Sequence, residues 1–211
     1  MQSIKTVSEA LIIFVKNPVL GKVKTRLAAT VGKQQALIIY QQLLKHTCLL
    51  TLQLSCQKHV FYSHFIPTLP DEWENHPHQK HLQTNTPDLG KRMADAFEQL
   101  LKTATKVLII GSDCYQLNSN IIEQAFLQLD THDIVLGTAT DGGYYLLGMK
   151  QMHHLLFINK QWSTNTVANS TLADCEKLGL RYYLLPTLSD IDTYQDWQNK
   201  DKIGKIGRAH V

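Results

Sequence analysis

The stretch LIIFVKNPVLGKVKTRLA, residues 11–28, decides the fold of this chain. Its first five residues are all apolar, which predicts a buried strand over 11–15. Pro18 cannot extend a central strand, and Gly21 lets a ligand approach the backbone closely, so a tight loop follows. A long helical pattern comes next. The stretch therefore predicts a strand, a basic loop and a first helix.

Three cations lie at alternate positions in this loop: Lys22, Lys24 and Arg26. They precede a helix, whose free N–H groups and dipole favour an anion such as phosphate. Cations after a strand can equally form a solvated face, and the spacing alone leaves both interpretations open. The loop matches neither G-x-x-x-x-G-K-[ST] nor G-x-G-x-x-G, which disfavours a P-loop NTPase or a dinucleotide dehydrogenase.

Length and composition are those of an ordinary globular protein. The chain has 211 residues, 44% of them hydrophobic and 18% charged, which predicts one domain over residues 1–200 and a weakly ordered tail over 201–211. The net charge of +3 is too small to indicate nucleic acid. No apolar run approaches the roughly 20 residues of a membrane span, and no signal-peptide core is present, so we expect a cytoplasmic protein.

The remaining patterns alternate between strands and helices. Helices are predicted over 34–54, after the turn at Pro87 and Gly90 up to residue 101, over 119–129 and over 164–178; strands are predicted over 59–62, 107–110, 134–136, 144–147 and 181–185. This order predicts an α/β fold, a single-domain three-layer α/β/α architecture with a mostly parallel central sheet. Residues 63–81 are polar and read as a solvated loop.

Cysteines and histidines give no strong metal signal. The cysteines form no C-x-x-C pair and are interpreted as reduced core thiols: Cys48, Cys56, Cys114 and Cys175. The histidines of the polar loop have irregular spacing, which favours a solvated loop over a metal site: His64, His76, His78 and His81. A carboxylate beside Cys114 should raise the pKa of its thiol, which argues against a nucleophile.

Aspartates follow several of the predicted strands. Ligands of open parallel sheets bind beyond the carboxyl ends of the strands, where Asp113 directly follows a buried strand. Asp113 and Asp192 could hold a hard divalent cation against a diphosphate. Alternatively, Asp113 caps the following helix, and Asp190 and Asp192 cap a helix that starts near residue 193. The basic loop beside them favours the metal-binding hypothesis.

Asp141 opens the turn Asp141-Gly142-Gly143. Its carboxylate could contact an acceptor hydroxyl or act as a base. It could also simply be the first residue of a Gly-Gly turn, because aspartate favours that position.

Five motifs carry a resemblance to a known family: KNPVLGKVKTRLA, DLGKRM, GSDC, GTATDGGYYLLG and DIDTYQDW. Over residues 11–197 the chain resembles the bacterial DUF2064 group, also called rSAM/selenodomain-associated transferase 1, which is similar to GT-A glycosyltransferases and to nucleotidyltransferases such as the 2-phospho-lactate guanylyltransferases. The resemblance implies a catalytic, metal-binding role for Asp113, with Asp192 as the second metal ligand. Asp141, from the hypothesis above, is the other candidate catalytic residue. The nucleotide-binding residues would be Lys16, Gly21, Lys24, Arg26, Gly90 and Arg92.

The resemblance also implies a reaction. The first hypothesis is a transferase dependent on Mg²⁺ or Mn²⁺ that moves a glycosyl group from a nucleotide-diphospho-sugar. The alternatives are a nucleotidyltransferase that releases pyrophosphate from an NTP and a non-catalytic nucleotide-binding protein. The expected partners are a nucleotide-sugar or NTP donor and an unidentified small-molecule acceptor, with no nucleic acid and no membrane span.

Overall fold

A seven-stranded sheet forms the centre of the protein in a computed structural model, which describes residues 8–203. In chain order its strands are β1 (Glu9–Val15), β2 (Gln57–Tyr62), β3 (Gln79–Leu82), β4 (Lys106–Ile110), β5 (Ile134–Ala139), β6 (Tyr144–Met149) and β7 (Tyr182–Leu188). Their spatial order is β3-β2-β1-β4-β6-β5-β7. Strand β6 is antiparallel to β4 and β5, and the other pairs are parallel. The prediction of a mostly parallel sheet is confirmed.

Helices cover both faces of this sheet. They are α1 (Thr25–Leu52), α2 (Leu89–Leu101), α3 (Ser119–Gln128), α4 (Val167–Lys177) and α5 (Tyr194–Ile203), with a 3₁₀ turn at His154–Leu156. One core cluster joins the sheet to α1 and α3, and a second joins it to α2 and α4. The predicted three layers are therefore present.

Strand β1 shows why the sequence lacks alternation here. Leu11 and Ile13 pack with the α1 side, whereas Ala10 and Ile12 pack with the α2 side. All four side chains are at most 1% exposed. A strand covered on both faces needs apolar residues at successive positions, and each fully buried large aliphatic side chain contributes about 1.5–3 kcal/mol.

Two predictions of local structure were wrong. Helix α1 begins at Thr25 and not at residue 34, so Arg26 belongs to its first turn; Gly32, at φ 81° and ψ 159°, interrupts the helical geometry and separates this start from the long apolar pattern. The polar stretch 63–81 also ends in a short edge strand, β3, which pairs with β2. An edge strand with little burial carries no strong apolar pattern, so sequence periodicity missed it.

Three further expectations concern the cysteines, membrane spans and the C-terminal tail. All four cysteines are free and buried. Within residues 8–203, no helix is both long and apolar enough to cross a membrane. Helix α5 continues past residue 200 to Ile203, and the rest of the predicted tail, 204–211, lies outside the described residues.

Two histidines meet between β2 and β3. His59 Nδ1 lies 3.0 Å from His81 Nε2, and Gln99 Nε2 lies 3.1 Å from His81 Nδ1. Because the amide nitrogen of Gln99 can only donate, His81 must donate from Nε2 to His59, which assigns both rings as neutral. Burial, and secondarily the neighbouring His81, lower the pKa of His59 to about 4.

We predict that this pair makes the fold sensitive to acid. The unfolded chain takes up a proton at His59 near pH 6.5, whereas the folded chain resists it until about pH 4. The contribution of neutral His59 to the free energy of unfolding should therefore be fully present above pH 6.5. It should decrease as the pH falls from 6.5 to about 4. In urea titrations at several pH values over this range, the free energy of unfolding of His59→Phe should decrease less than that of the parent. The exposed-site variant His64→Gln is the matched control, and parallel curves for His59→Phe and the parent would contradict the assignment.

Candidate functional site

The predicted ligand-binding segments meet at the carboxyl edge of the parallel strands. Backbone hydrogen bonds hold them together: Ile191 N donates to Asp113 O at 2.9 Å, and Thr140 N donates to Leu188 O at 2.9 Å. The first bond joins the end of β4 to the segment after β7, and the second joins the turn after β5 to the end of β7. The aspartates after three different strands therefore share one site.

Lys24 lies at the centre of this site. Its ammonium is 3.0 Å from Asp113 Oδ2 and 3.3 Å from Asp192 Oδ1, and its side chain is only 5% exposed. Burial is the largest influence on its pKa and lowers it, but the charges and hydrogen bonds of the two aspartates together outweigh burial, so the pKa of Lys24 is raised. Lys24 is therefore a fixed cation at neutral pH.

The backbone of Lys24 is also unusual. It is left-handed, with φ 46° and ψ 49°, immediately before α1. A non-glycine residue in this region costs about 1–2 kcal/mol, and such residues cluster at functional sites. This conformation places the Lys24 ammonium between the two aspartates. Arg26, one residue into α1, is 75% exposed in its side chain and lies 3.7 Å from Asp192 Oδ2 through Nη1.

Capping, the alternative role of the aspartates, is performed by other residues. Asn118 caps α3, because its Oδ1 accepts from Ile121 N at 3.2 Å. Thr193 and Asp196 cap the start of α5 through two reciprocal hydrogen bonds. Asp196 Oδ2 accepts from Thr193 N at 2.7 Å, and Thr193 Oγ1 accepts from Asp196 N at 3.2 Å. Asp113 and Asp192 thus contact Lys24 and do not cap the helices.

Asp190 is a site residue that the sequence analysis treated only as a cap. Burial, and then the charges of Asp113, Asp141 and Asp192, together raise the pKa of its carboxyl to about 7 against the opposing effect of Lys24. The alternating pattern Asp190-Ile191-Asp192 was a signal for it, because Ile191 is a core residue, 2% exposed, with one aspartate on each side. Burial, and then Asp190, raise the pKa of the Cys114 thiol to about 12, in agreement with an unreactive cysteine.

Asp141 forms the turn considered for it and also lines a cavity, while its contact with an acceptor hydroxyl stays a prediction. Its Oδ1 accepts from Gly143 N at 2.9 Å, as expected of the first residue of a turn. The side chain also lines a cavity of about 390 Å³ together with the cations of the loop and the other aspartates: Lys16, Lys22, Lys24, Arg26, Asp113 and Asp192. We call this the charged cavity.

A larger cavity of about 740 Å³ adjoins it, between the end of β1 and the start of α2. Its polar lining includes Lys16, Tyr40, Gln83, Asp88, Arg92, Asp113 and Lys160, and its apolar lining includes Phe14, Phe157 and Trp162. We call this the large cavity. It has the size of a small-molecule site, with apolar walls and a few fixed polar groups.

Hydrogen bonds fix two of its walls. The Tyr40 hydroxyl accepts from Lys16 N at 2.9 Å and donates to Lys16 O at 3.0 Å, which fixes the backbone where β1 leaves the sheet. Gln83 Nε2 donates to Phe61 O at 2.8 Å, while Gln83 Oε1 accepts from Arg92 Nη1 at 3.1 Å. Neither Tyr40 nor Gln83 belongs to a sequence motif, so no pattern identified them as site residues.

The two predicted glycines, Gly90 and Gly21, have structural roles. A Cβ on Gly90 would lie 2.3 Å from Phe157 O and 2.6 Å from Trp162 Cζ2, so Gly90 lets Trp162 pack on the start of α2. Gly21, at φ 74°, forms the turn of the basic loop. The structure thus brings seven predicted residues to the two cavities: Lys16, Lys24, Arg26, Arg92, Asp113, Asp141 and Asp192.

This fold belongs to a known structural class. A crystal structure described as a "putative nucleotide-diphospho-sugar transferase" from Desulfovibrio desulfuricans G20 is 27% identical, with a TM-score of 0.86 over 96% of this chain and 91% of that chain. The inositol-1-phosphate CTP transferase from T. maritima is 12% identical, with a TM-score of 0.59 over 98% of this chain and 99% of that chain. The protein therefore has a nucleotide-diphospho-sugar transferase-like fold.

The 4-diphosphocytidyl-2C-methyl-D-erythritol synthase from Anaerococcus prevotii shares this fold at 9% identity and a TM-score of 0.60, over 93% of this chain and 96% of that chain. No curated protein sequence matches the chain. The family described as "Uncharacterized protein conserved in bacteria (DUF2064)" matches residues 47–164, more than half of the chain. The protein belongs to the DUF2064 family, and the resemblance drawn from its motifs is confirmed.

We predict that Gly142→Ala destabilises the site strongly. Gly142 has φ 87°, and a Cβ there would lie 2.1 Å from Asn165 O, while Gly142 O accepts from Ala168 N at 2.9 Å. The free energy of unfolding in urea should fall by at least about 2 kcal/mol. Gly143→Ala is the matched control, because the nearest atom to its Cβ would be Asp141 Oδ1 at 3.2 Å; its loss should stay below about 1 kcal/mol. Equal losses would contradict the proposed contact.

Proposed function

We propose that the protein is a metal-dependent transferase that uses a nucleotide-activated donor, with transfer of a glycosyl group from a nucleotide-diphospho-sugar as the reaction. The observation that carries this proposal is the convergence of Lys24 with Asp113 and Asp192 beside the large cavity. Cations beside paired carboxylates suit a diphosphate and its metal ion. The 27% identical Desulfovibrio protein, whose description names a nucleotide-diphospho-sugar transferase, supports the same donor class.

The pair of carboxylates supports the metal-dependent part of this proposal. Asp113 and Asp192 already contact one cation, the Lys24 ammonium, so their oxygens can converge on a single positive charge. Carboxylate oxygens are the ligands that Mg²⁺ prefers, and Asp113 and Asp192 would hold Mg²⁺ or Mn²⁺. When bound, such an ion supplies positive charge that stabilises a leaving diphosphate.

The residues of the chain would divide the remaining work. In this proposal Lys16, Lys24 and Arg26 bind the phosphates, and Arg92 lies in the large cavity with the nucleoside. Asp141 Oδ1 is engaged by Gly143 N, which orients the carboxylate toward the charged cavity. Asp141 would accept the acceptor hydroxyl proton while the acceptor oxygen bonds to the anomeric carbon and the nucleoside diphosphate leaves.

Nucleotidyl transfer is the second candidate. Four cations line the charged cavity, Lys16, Lys22, Lys24 and Arg26, which is a density that suits a triphosphate. Product analysis separates the two reactions: an NTP that yields pyrophosphate identifies nucleotidyl transfer, whereas a nucleotide-sugar that yields a nucleoside diphosphate identifies glycosyl transfer. Calorimetry with a nucleotide panel and Mn²⁺, followed by donor-hydrolysis assays, would reveal binding without turnover, the outcome expected of a non-catalytic protein.

We predict that Asp113→Asn removes the metal dependence of nucleotide binding while the fold stays intact, because the Asp113 side chain is 40% exposed and outside the apolar core. A neutral amide attracts a hard cation far less than a carboxylate does. The gain in UDP affinity that Mn²⁺ provides should shrink by about tenfold or more in calorimetry.

The control for this experiment is Asp95→Asn, which removes a carboxylate paired with Lys91 on α2. That variant should bind UDP and Mn²⁺ as the parent does. Unchanged Mn²⁺ dependence in Asp113→Asn would show that Asp113 is not a metal ligand.

We also predict that Arg26→Ala weakens the binding of nucleoside diphosphates but not of nucleosides. A charge-assisted hydrogen bond contributes about 1.5–3 kcal/mol, so UDP affinity should fall about tenfold or more, while uridine affinity stays the same. Arg26→Lys should recover only part of the loss, because a guanidinium can bind phosphate through two parallel hydrogen bonds and an ammonium cannot.

The matched control removes the same amount of charge elsewhere on the same helix, at the exposed Lys45. Lys45→Ala should bind UDP as the parent does. If Arg26→Ala weakens UDP and uridine equally, Arg26 supports the shape of the cavity; if it weakens neither, Arg26 belongs to a solvated face.

A further inference from the structure

A third cavity, of about 290 Å³, opens at the same edge of the sheet. Most of its lining is apolar or aromatic: Phe14, Leu89, Met93, Ile109, Ile110, Tyr144, Tyr145, Trp162 and Val167. Its acidic lining is Asp113, Asp141 and Asp190. We call it the apolar pocket. It shares Phe14, Asp113 and Trp162 with the large cavity, so a molecule in the pocket would lie directly beside one in the large cavity.

The charge of this pocket differs from that of its neighbours. No lysine, arginine or histidine is present among the described residues that line it, whereas lysines and arginines line both other cavities. Asp113, Asp141 and Asp190 supply the carboxylates of its lining. Lys24 pairs with Asp113 from outside the pocket lining, but no cation of the lining itself lies beside Asp141 and Asp190. An anionic ligand such as a phosphate would therefore meet carboxylates of like charge there, which is unfavourable in a partly dry site.

The aromatic lining supplies flat apolar surfaces. The rings of Tyr144 and Trp162 lie 6.4 Å apart between centroids and at 84° to each other, so they form two adjoining walls. The Tyr144 hydroxyl is directed to Met93 Sδ at 3.7 Å and not into solvent. Aromatic faces pack on the C–H surface of a ligand, while carboxylates accept hydrogen bonds from its hydroxyls. This combination suits a ligand with an apolar face and several hydroxyl groups.

Resting on the proposed function, we propose that the apolar pocket binds the acceptor, and that the acceptor is a neutral polyhydroxylated molecule, a sugar or cyclitol without phosphate or carboxylate. One of its hydroxyl oxygens forms a bond to the anomeric carbon of the donor, and the bond from that carbon to the diphosphate oxygen breaks. The hydroxyl proton passes to Asp141, and the nucleoside diphosphate leaves with the bonding electron pair.

The test compares neutral ligands with their phosphates on the whole protein, with saturating UDP and Mn²⁺ present. The probes are glucose, mannose, N-acetylglucosamine and myo-inositol, each beside its monophosphate, and binding is measured by NMR titration. At least one neutral probe should bind about tenfold or more tightly than its phosphate. If UDP binds but every phosphate binds as tightly as its neutral partner, or no neutral probe binds, this inference is overturned and the donor proposal stands.

A charge-introducing variant sharpens the test. Thr164 is exposed and lines the apolar pocket, so Thr164→Lys adds the missing cation without burying it in the core. The variant should reduce the preference of the pocket for neutral probes over their phosphates by about tenfold, while UDP, which is proposed to bind in the other two cavities, keeps the affinity of the parent. Thr166→Lys is the matched control, since Thr166 is exposed and hydrogen-bonds Thr164 at 2.9 Å but lies outside the pocket lining. Equal reductions in both variants would overturn the assignment, and failure of the parent to bind UDP would overturn the proposed function with it.

Discussion

The contact of Lys24 with Asp113 and Asp192 determines how the site is assembled, because its three residues come from three distant segments. Lys24 follows β1, Asp113 follows β4 and Asp192 follows β7. The two carboxylates are 40% and 38% exposed, so each ion pair contributes only about 0–1 kcal/mol to stability, which is no more than the cost of the left-handed backbone at Lys24. The contact therefore orders the site far more than it stabilises the fold.

Much of the fold could be predicted because buried strands have a recognisable apolar sequence pattern. Strands β1 and β4 are covered on both faces, and each contains a continuous apolar run. Edge strand β3 is half exposed and has no continuous apolar run. The reversed direction of β6 has no local signature either, since a strand between two neighbours needs the same apolar residues in either direction.

The site was predictable where position along a strand determines it. Asp113 and Asp192 follow strands that end at the same edge, and the rule that ligands bind beyond carboxyl ends is enough to bring them together. Contacts made by tertiary packing were not predictable. Tyr40 reaches Lys16 from the middle of α1, and Trp162 reaches Gly90 from a loop without periodicity. Asp190 was assigned to capping because its burial depends on neighbours remote in sequence.

The reversal of β6 also bears on how relatives of this protein can diverge. Because β6 begins at the site and ends at the opposite edge of the sheet, the chain leaves Met149 far from the site and must return to it. It returns along α2, where His154 contacts Glu98 at 3.3 Å near the end of the helix and Trp162 packs on Gly90 at its start. Insertions or deletions at the far end of this return path lengthen or shorten a surface loop, whereas the Asp141 turn is held by its own hydrogen bonds to Ala168 and Leu188. Evolution can therefore vary the length of the chain at the far end of this path without disturbing the aspartates, whereas the segment after Trp162 is held against the Asp141 turn by the contact of Asn165 with Gly142.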